Sequence, residues 1–202
     1  MSFSDQRAEA PLFFGPLIGR TTTFLFEGRQ TNLEFARTIA GFLAQTNDAF
    51  SIMDLDALYS SNADRILSPM NEETAKSTTI LVPEPGSDIE GEFSQLFEAQ
   101  QKVVVIDSLN TLYHLISTED GSSRSRKLAF AVAILSFFAR TNGRAVILTM
   151  YRREGFNRAG TVRSISSLSD VTASVETKGQ ELTIVVERGR AWPNGRFLTR
   201  IP

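Results

Sequence analysis

The chain has 202 residues, 42% of them hydrophobic and 22% charged, with a formal net charge of −2; this is the composition of an ordinary globular chain able to build one core. No apolar run approaches the roughly 18 residues of a membrane span, and the start, MSFSDQRAEAPLFF, lacks the basic residues and apolar stretch of a secretory leader, so a cytoplasmic protein with no membrane partner is expected. There is no cysteine, which excludes disulfides, thiolate metal sites and a cysteine nucleophile.

Thr22–Glu27 is β-branched and aromatic and reads as a strand. Asn32–Gln45 places Leu33, Phe35, Ile39, Phe42 and Leu43 at helical spacing. Phe50–Asp54 and Ser77–Val82 are short apolar strands, and Ile89–Ala99 is a helix with Phe93, Leu96 and Phe97 on one side. Lys102–Asp107 is a continuous apolar run, the pattern of a strand covered on both faces. Arg126–Thr141 reads as a long helix that stops at Asn142-Gly143, and Arg144–Met150 as the next buried strand. The rhythm then changes. Val171–Glu176, Glu181–Glu187 and Arg196–Ile201 are strands joined only by Lys178-Gly179 and Pro193-Asn194-Gly195, so antiparallel hairpins are expected. The whole is an α/β chain: a mainly parallel, twisted sheet flanked by helices, closed by antiparallel strands.

Charge is segregated along this order. Residues 1–101 carry 6 Lys+Arg and 15 Asp+Glu, net −9, whereas residues 102–202 carry 15 and 8, net +7. A basic half can attract a polyanion, and an acidic face can meet a basic face of another copy.

In VVVIDSLNTLYHLI (103–116), four apolar residues lead into Asp107 and Ser108. A carboxylate at the end of a buried strand is where phosphate-loop nucleoside triphosphatases hold magnesium. With its neighbours this stretch resembles the core of the RecA/RadA recombinase family, the archaeal RadA type and its paralogues in particular. FFGPLIGRTTTFLFEG (13–28) resembles the segment leading into the first core strand, and SIMDLDALYSSNADRI (51–66) the second strand. VVVIDSLNTL resembles the Walker B strand, RKLAFAVAILSFFARTNGRAVILTM (126–150) the long helix and following strand, and ELTIVVERGRAWPNGRFLTRIP (181–202) the closing hairpin. The resemblance implies one RecA-like domain over 1–202, with an N-terminal segment 1–20 and a core 21–202.

The chain departs from this family at the phosphate loop. G-x-x-x-x-G-K-[ST] should stand between the first strand and its helix, its amides wrapping the phosphates. Here the strand ends in Glu27-Gly28 and is followed by Arg29-Gln30-Thr31-Asn32. Gly28 can match the first glycine, but the second glycine and the lysine are missing, and Arg29 lies on the wrong side of the turn. GPLIGRTT (15–22) does not replace the loop, because strand-like residues follow it. Thr31-Asn32-Leu33-Glu34 fits a capping box, which would occupy the helix amides with Thr31 and Glu34.

Gly28, Arg29 and Thr31 are therefore read as a vestigial loop. Asp107, and Asp56, which aligns with the water-activating carboxylate of active members, are read as vestigial catalytic positions beside Asp54. No cofactor and no metal are expected; ATP with magnesium belongs only to the alternative of a triphosphatase with an atypical loop. His114, the lone histidine, lacks the partners for a metal site or triad. Trp192 is expected to pack across the closing hairpin. Phe3, Phe13 and Phe14 are expected to close the core or to insert into another subunit.

Two basic clusters point to nucleic acid. Arg152, Arg153, Arg158 and Arg163 follow Met150, with Tyr151 and Phe156 able to stack on bases. Arg124, Arg126 and Lys127 follow STEDGSS. By resemblance both groups stand where recombinases carry DNA-binding loops. The implied partners are single- or double-stranded DNA, or RNA, and a homo-oligomer or a hetero-oligomer with a RecA/RadA-like protein. The expected function is an inactive accessory subunit in DNA repair or recombination. Subunit docking by the same arginines stays open, as does a scaffold role in an Elongator-like RNA-modifying assembly.

Overall fold

The computed structural model describes residues 10–84, 89–98, 100–115, 121–152 and 168–202, with backbone alone at 10, 90 and 121–124. A short helix, α1 (Ala10–Phe14), and a 3₁₀ turn lead into β1 (Arg20–Phe26) and α2 (Arg29–Thr46). β2 (Phe50–Asp54) is followed by two one-turn helices, α3 (Ala63–Leu67) and α4 (Glu72–Lys76), and by β3 (Thr79–Leu81). Next come α5 (Ile89–Glu98), β4 (Val103–Asp107), α6 (Leu109–Leu115), α7 (Gly121–Asn142) and β5 (Ala145–Tyr151). β6 (Val171–Lys178), β7 (Glu181–Arg188) and β8 (Arg196–Arg200) close the chain.

All eight strands lie in one sheet, ordered β3-β2-β4-β5-β1-β6-β7-β8. Pairing is parallel from β3 to β6 and antiparallel through β7 and β8. The expected switch from βαβ units to hairpins is therefore observed. Strand boundaries agree within about two residues; β3, for example, is shorter than Ser77–Val82. The two helix starts differ more. α2 begins at Arg29, not Asn32, and α7 at Gly121, not Arg126. The one-turn helices α1, α3 and α4 are too short for a period to show in sequence.

Central strands are apolar on both faces because helices cover both. Val103 and Val105 of β4 point to one core while Val104 and Ile106 point to the other. On the first side α2 packs Leu33, Ala36, Ile39, Ala40 and Leu43 onto the sheet. On the second, α7 contributes Leu128, Val132, Leu135 and Ala139.

The first core ends in an aromatic cluster built around Phe13. Its fully buried ring lies 4.9 Å from Phe14, 5.2 Å from Phe42, 5.3 Å from Phe197 and 5.8 Å from Trp192. Phe13 and Phe14 thus close their own core, while Phe3 lies outside the described residues. Trp192 stacks on Phe13 and packs against Phe197 of β8, as expected of the closing hairpin. Replacing a fully buried phenylalanine by alanine costs about 3–5 kcal/mol. Phe13→Ala should lose about that much in guanidinium unfolding, and the fluorescence of Trp192, the sole tryptophan, should shift in the native baseline as its stacking partner disappears.

Candidate functional site at the carboxyl edge of the sheet

Open α/β sheets bind ligands outside the carboxyl ends of their parallel strands. Here β1, β2, β4 and β5 end side by side in Phe26, Asp54, Asp107 and Tyr151, with Asp54 in register with Asp107 and Phe26 with Tyr151. Asp107 is fully buried. Its Oδ1 accepts from Asn32 Nδ2 of α2 at 2.8 Å and from the Thr149 hydroxyl of β5. Asn32 Nδ2 also donates to Tyr151 Oη at 2.8 Å. Asn110 of α6 pairs with the Tyr151 backbone, accepting from its N–H at 2.7 Å and donating to its carbonyl at 3.2 Å.

The neighbouring carboxylates have separate duties. Asp54 is buried and accepts from the Leu58 and Ser60 amides at 2.9 and 2.7 Å, so it folds the loop that follows β2. Asp56 is half-buried and accepts from Ser108 Oγ at 2.7 Å and from the Thr111 hydroxyl. Its carbonyl receives Arg29 Nη2 at 2.9 Å. The Asp107–Ser108 peptide is cis. Among the described residues no group of three His, Cys, Asp or Glu is placed to hold a metal ion.

Burial is the dominant influence on Asp107. It pushes the carboxyl up to about 7, although the hydrogen bonds from Thr149 and Asn32 favour the charged form; the negative charges of Asp56 and Asp54 add to the rise. Burial, then the charge of Asp107, likewise raises the Tyr151 and Tyr59 phenols. Asp107 Oδ2, Asn32 Oδ1 and Tyr59 Oη are buried without a protein hydrogen-bond partner.

The start of α2 corrects the sequence reading. Only Glu27 and Gly28 separate β1 from α2. Gly28 is the N-cap, in extended backbone, and no side chain caps the helix. The Thr31–Glu34 capping box does not form, because the earlier start puts both residues inside the helix. The Thr31 hydroxyl instead meets Thr177 Oγ1 of β6 at 3.3 Å. Glu34 is buried and accepts from Gln30 at 2.6 Å, Arg37 at 2.8 Å and Arg65 of α3 at 2.6 Å. It therefore ties α2 to α3 and does not guard the helix N-terminus.

The basic residues divide three ways. Arg152 bridges the Glu187 carboxylate and Glu27, the latter at 3.5 Å. Arg153, Arg158 and Arg163 lie outside the described residues. Arg124, Arg126 and Lys127 all belong to α7, whose start at Gly121 extends the helix expected from Arg126 back over Arg124. Arg126 and Lys127 are exposed. His114 is exposed on α6, its ring 5.6 Å from Tyr113. Asn32, Asn110 and Thr149 form the polar cluster that sequence reasoning missed, and Tyr151, expected to stack on bases, is instead buried against it with its hydroxyl on Asn32. The available signal was Asn32, a polar residue on the otherwise apolar face of α2.

A mainly parallel sheet in this order, helices on both faces, an Asp-Ser step at the end of a central strand and a closing antiparallel hairpin define a RecA-like α/β fold. The crystal structure of the RadB recombinase matches over 100% of this chain and 96% of its own, with a TM-score of 0.63 and 16% sequence identity. At that identity the likeness establishes the fold. No protein-family profile and no curated protein sequence matches the chain. No helix among the described residues is long and apolar enough to cross a membrane.

A carboxyl held near pH 7 in the fold but near 4 in the unfolded chain binds more protons when folded between those values. Stability is therefore lost as pH rises from about 4 to about 7. Asp107→Asn removes that titration. In denaturation from pH 5 to 8, wild type should fall relative to the variant by about 1 kcal/mol per pH unit up to about pH 7, then run parallel to it.

Proposed function

We propose that this chain is a RecA-like accessory subunit that does not hydrolyse nucleotide and that acts on nucleic acid in DNA repair or recombination, beside RecA/RadA-like partners. The observation that carries this reading is the two-residue joint between β1 and α2. A phosphate loop needs about eight residues to wrap the phosphates with backbone amides; Glu27 and Gly28 cannot encircle them. The same joint brings Asn32 onto Asp107, the carboxylate that would face magnesium. An amide then fills one lone pair of a group that must be charged and open to hold a metal through water. A magnesium-bound nucleoside triphosphate thus does not fit the residues present.

One feature favours a second reading, a triphosphatase with an atypical loop. The first amides of α2 are not consumed by a side-chain cap, and Arg29 stands beside them; such a terminus attracts anions. Glu27 opposes it with negative charge. A fluorescent ATP analogue titrated with magnesium separates the two. The accessory reading expects no saturation up to about 1 mM, a free energy no better than about −4 kcal/mol. Micromolar binding that disappears in Asp107→Asn would favour the triphosphatase.

The nucleic-acid role rests on Arg153, Arg158 and Arg163, three cations against the single Glu154 in a stretch that follows the carboxyl edge of the sheet. Each phosphate contact adds about 0.9 to the slope of log affinity against log salt. Single-stranded and duplex DNA, and RNA, should bind with a salt slope that falls by about 2–3 in the Arg153→Ala/Arg158→Ala/Arg163→Ala variant, with little dependence on base sequence. A slope that the variant leaves unchanged would remove these arginines from the interface. Absence of nucleotide and nucleic-acid binding, together with a defined oligomer in light scattering, would favour the scaffold role in an Elongator-like assembly.

A further inference from the structure

The helix α7 is apolar on two opposite faces. Leu128, Val132, Leu135 and Ala139 are buried against the sheet. On the far side Phe130, Ile134 and Phe137 recur at i, i+4 and i+7 and are 68%, 39% and 70% exposed. A helix hydrophobic all round belongs inside a protein, yet this stripe faces outward. It runs along the helix for about 10 Å, two turns.

The charges that α7 itself carries are of one sign. The 22 residues of α7 hold four cations and no carboxylate. Arg126 and Lys127 are exposed one turn before Phe130, at i−4 and i−3, and flank the N-terminal end of the stripe. Among the described residues neither makes an ion pair. Arg140, near the other end, is held by Asp170 at 2.6 Å.

We infer that this face docks an amphipathic helix of a partner protein, one with apolar residues at i, i+4 and i+7 and with Asp or Glu in the turn that meets Arg126 and Lys127. Two turns of such a helix match the length of the stripe, and its acids supply the counter-charge that α7 lacks. Other occupants suit the face less well. Self-pairing of α7 across a two-fold axis sets cations against cations in either direction. A stripe three side chains long is narrow for a bilayer surface. Nucleic acid would leave Ile134 and Phe137 against phosphates. The inference is independent of the fate of nucleotide at the carboxyl edge.

The test uses the full chain and a synthetic helical peptide of about 20 residues, with leucine at i, i+4, i+7 and i+11 and glutamates in its end turn. Anisotropy should show saturable binding at least tenfold tighter than for the same peptide with lysines in place of the glutamates. Phe130→Ser/Phe137→Ser and Arg126→Glu/Lys127→Glu should each weaken it tenfold or more, with unchanged thermal unfolding, since all four side chains are exposed. Equal binding of both peptides, binding of neither, or binding untouched by the variants overturns the inference. Capture of anionic vesicles or duplex DNA through the two phenylalanines, or a wild-type dimer that the phenylalanine variant dissolves, also overturns it by assigning the face to lipid, nucleic acid or a second copy.

Discussion

Burial of the Asp107 carboxyl sets the arrangement of the whole carboxyl edge. A charge withdrawn from water needs donors or a proton, and both answers are visible. Asn32 and Thr149 converge on Oδ1, and burial raises the group until it titrates near neutrality. Asn32 reaches Asp107 only because α2 starts two residues after β1. A longer connection would carry the helix start away from β4 and leave room for a ligand. The short joint and the occupied carboxyl are therefore one structural fact, fixed by β1, α2, β4 and β5 together.

That edge is held in place from both sides. β1 is central, flanked by β5 and β6 in parallel register, and its threonine run is buried. On one face Glu34 draws Arg37 and Arg65 together and fixes α2 against α3, while Phe13 caps the aromatic end of the core. On the other face α5, α6 and α7 cover the strands. Asn32 thus projects from a helix fixed by packing over its length, so its amide meets Asp107 without a mobile loop between them.

Much of the architecture was legible because it is written in period and punctuation. KVVVID and RAVILTM are apolar without alternation, which marks strands covered on both faces; Lys178-Gly179 and Pro193-Asn194-Gly195 mark the hairpins. The start of α2 was not legible. Thr31-Asn32-Leu33-Glu34 satisfies a capping pattern, but the chain has no loop residues to spend between Phe26 and the helix, so tertiary geometry moved the start to Arg29 and turned Glu34 inward. The partners of Asp107 were equally hidden. Asn32, Thr149 and Tyr151 are distant in sequence, and each alone resembles a polar residue at the end of an element; only the parallel pairing of β4 with β5 and the lie of α2 gather them.

The fold also sorts charges that the sequence leaves in one pool. Residues 121–163 hold nine Lys+Arg and one Asp+Glu, more than the whole net charge of +7 of the second half. Arg140 is held by Asp170, Arg152 by Glu187 and Glu27, and Arg144 lies 4.9 Å from the centre of the Phe138 ring. These cations brace α7 and β5 and are spent on structure. Arg126 and Lys127 stand apart, exposed at the head of an apolar stripe. A cation beside exposed phenylalanines favours a partner that is itself part apolar and part acidic, whereas cations strung along a glycine-containing stretch, as Arg153, Arg158 and Arg163 are, suit a phosphate backbone. The two basic groups differ in what lies between their charges, and that difference sets the protein contact proposed for α7 apart from the nucleic-acid contact proposed for the arginines that follow β5 in sequence.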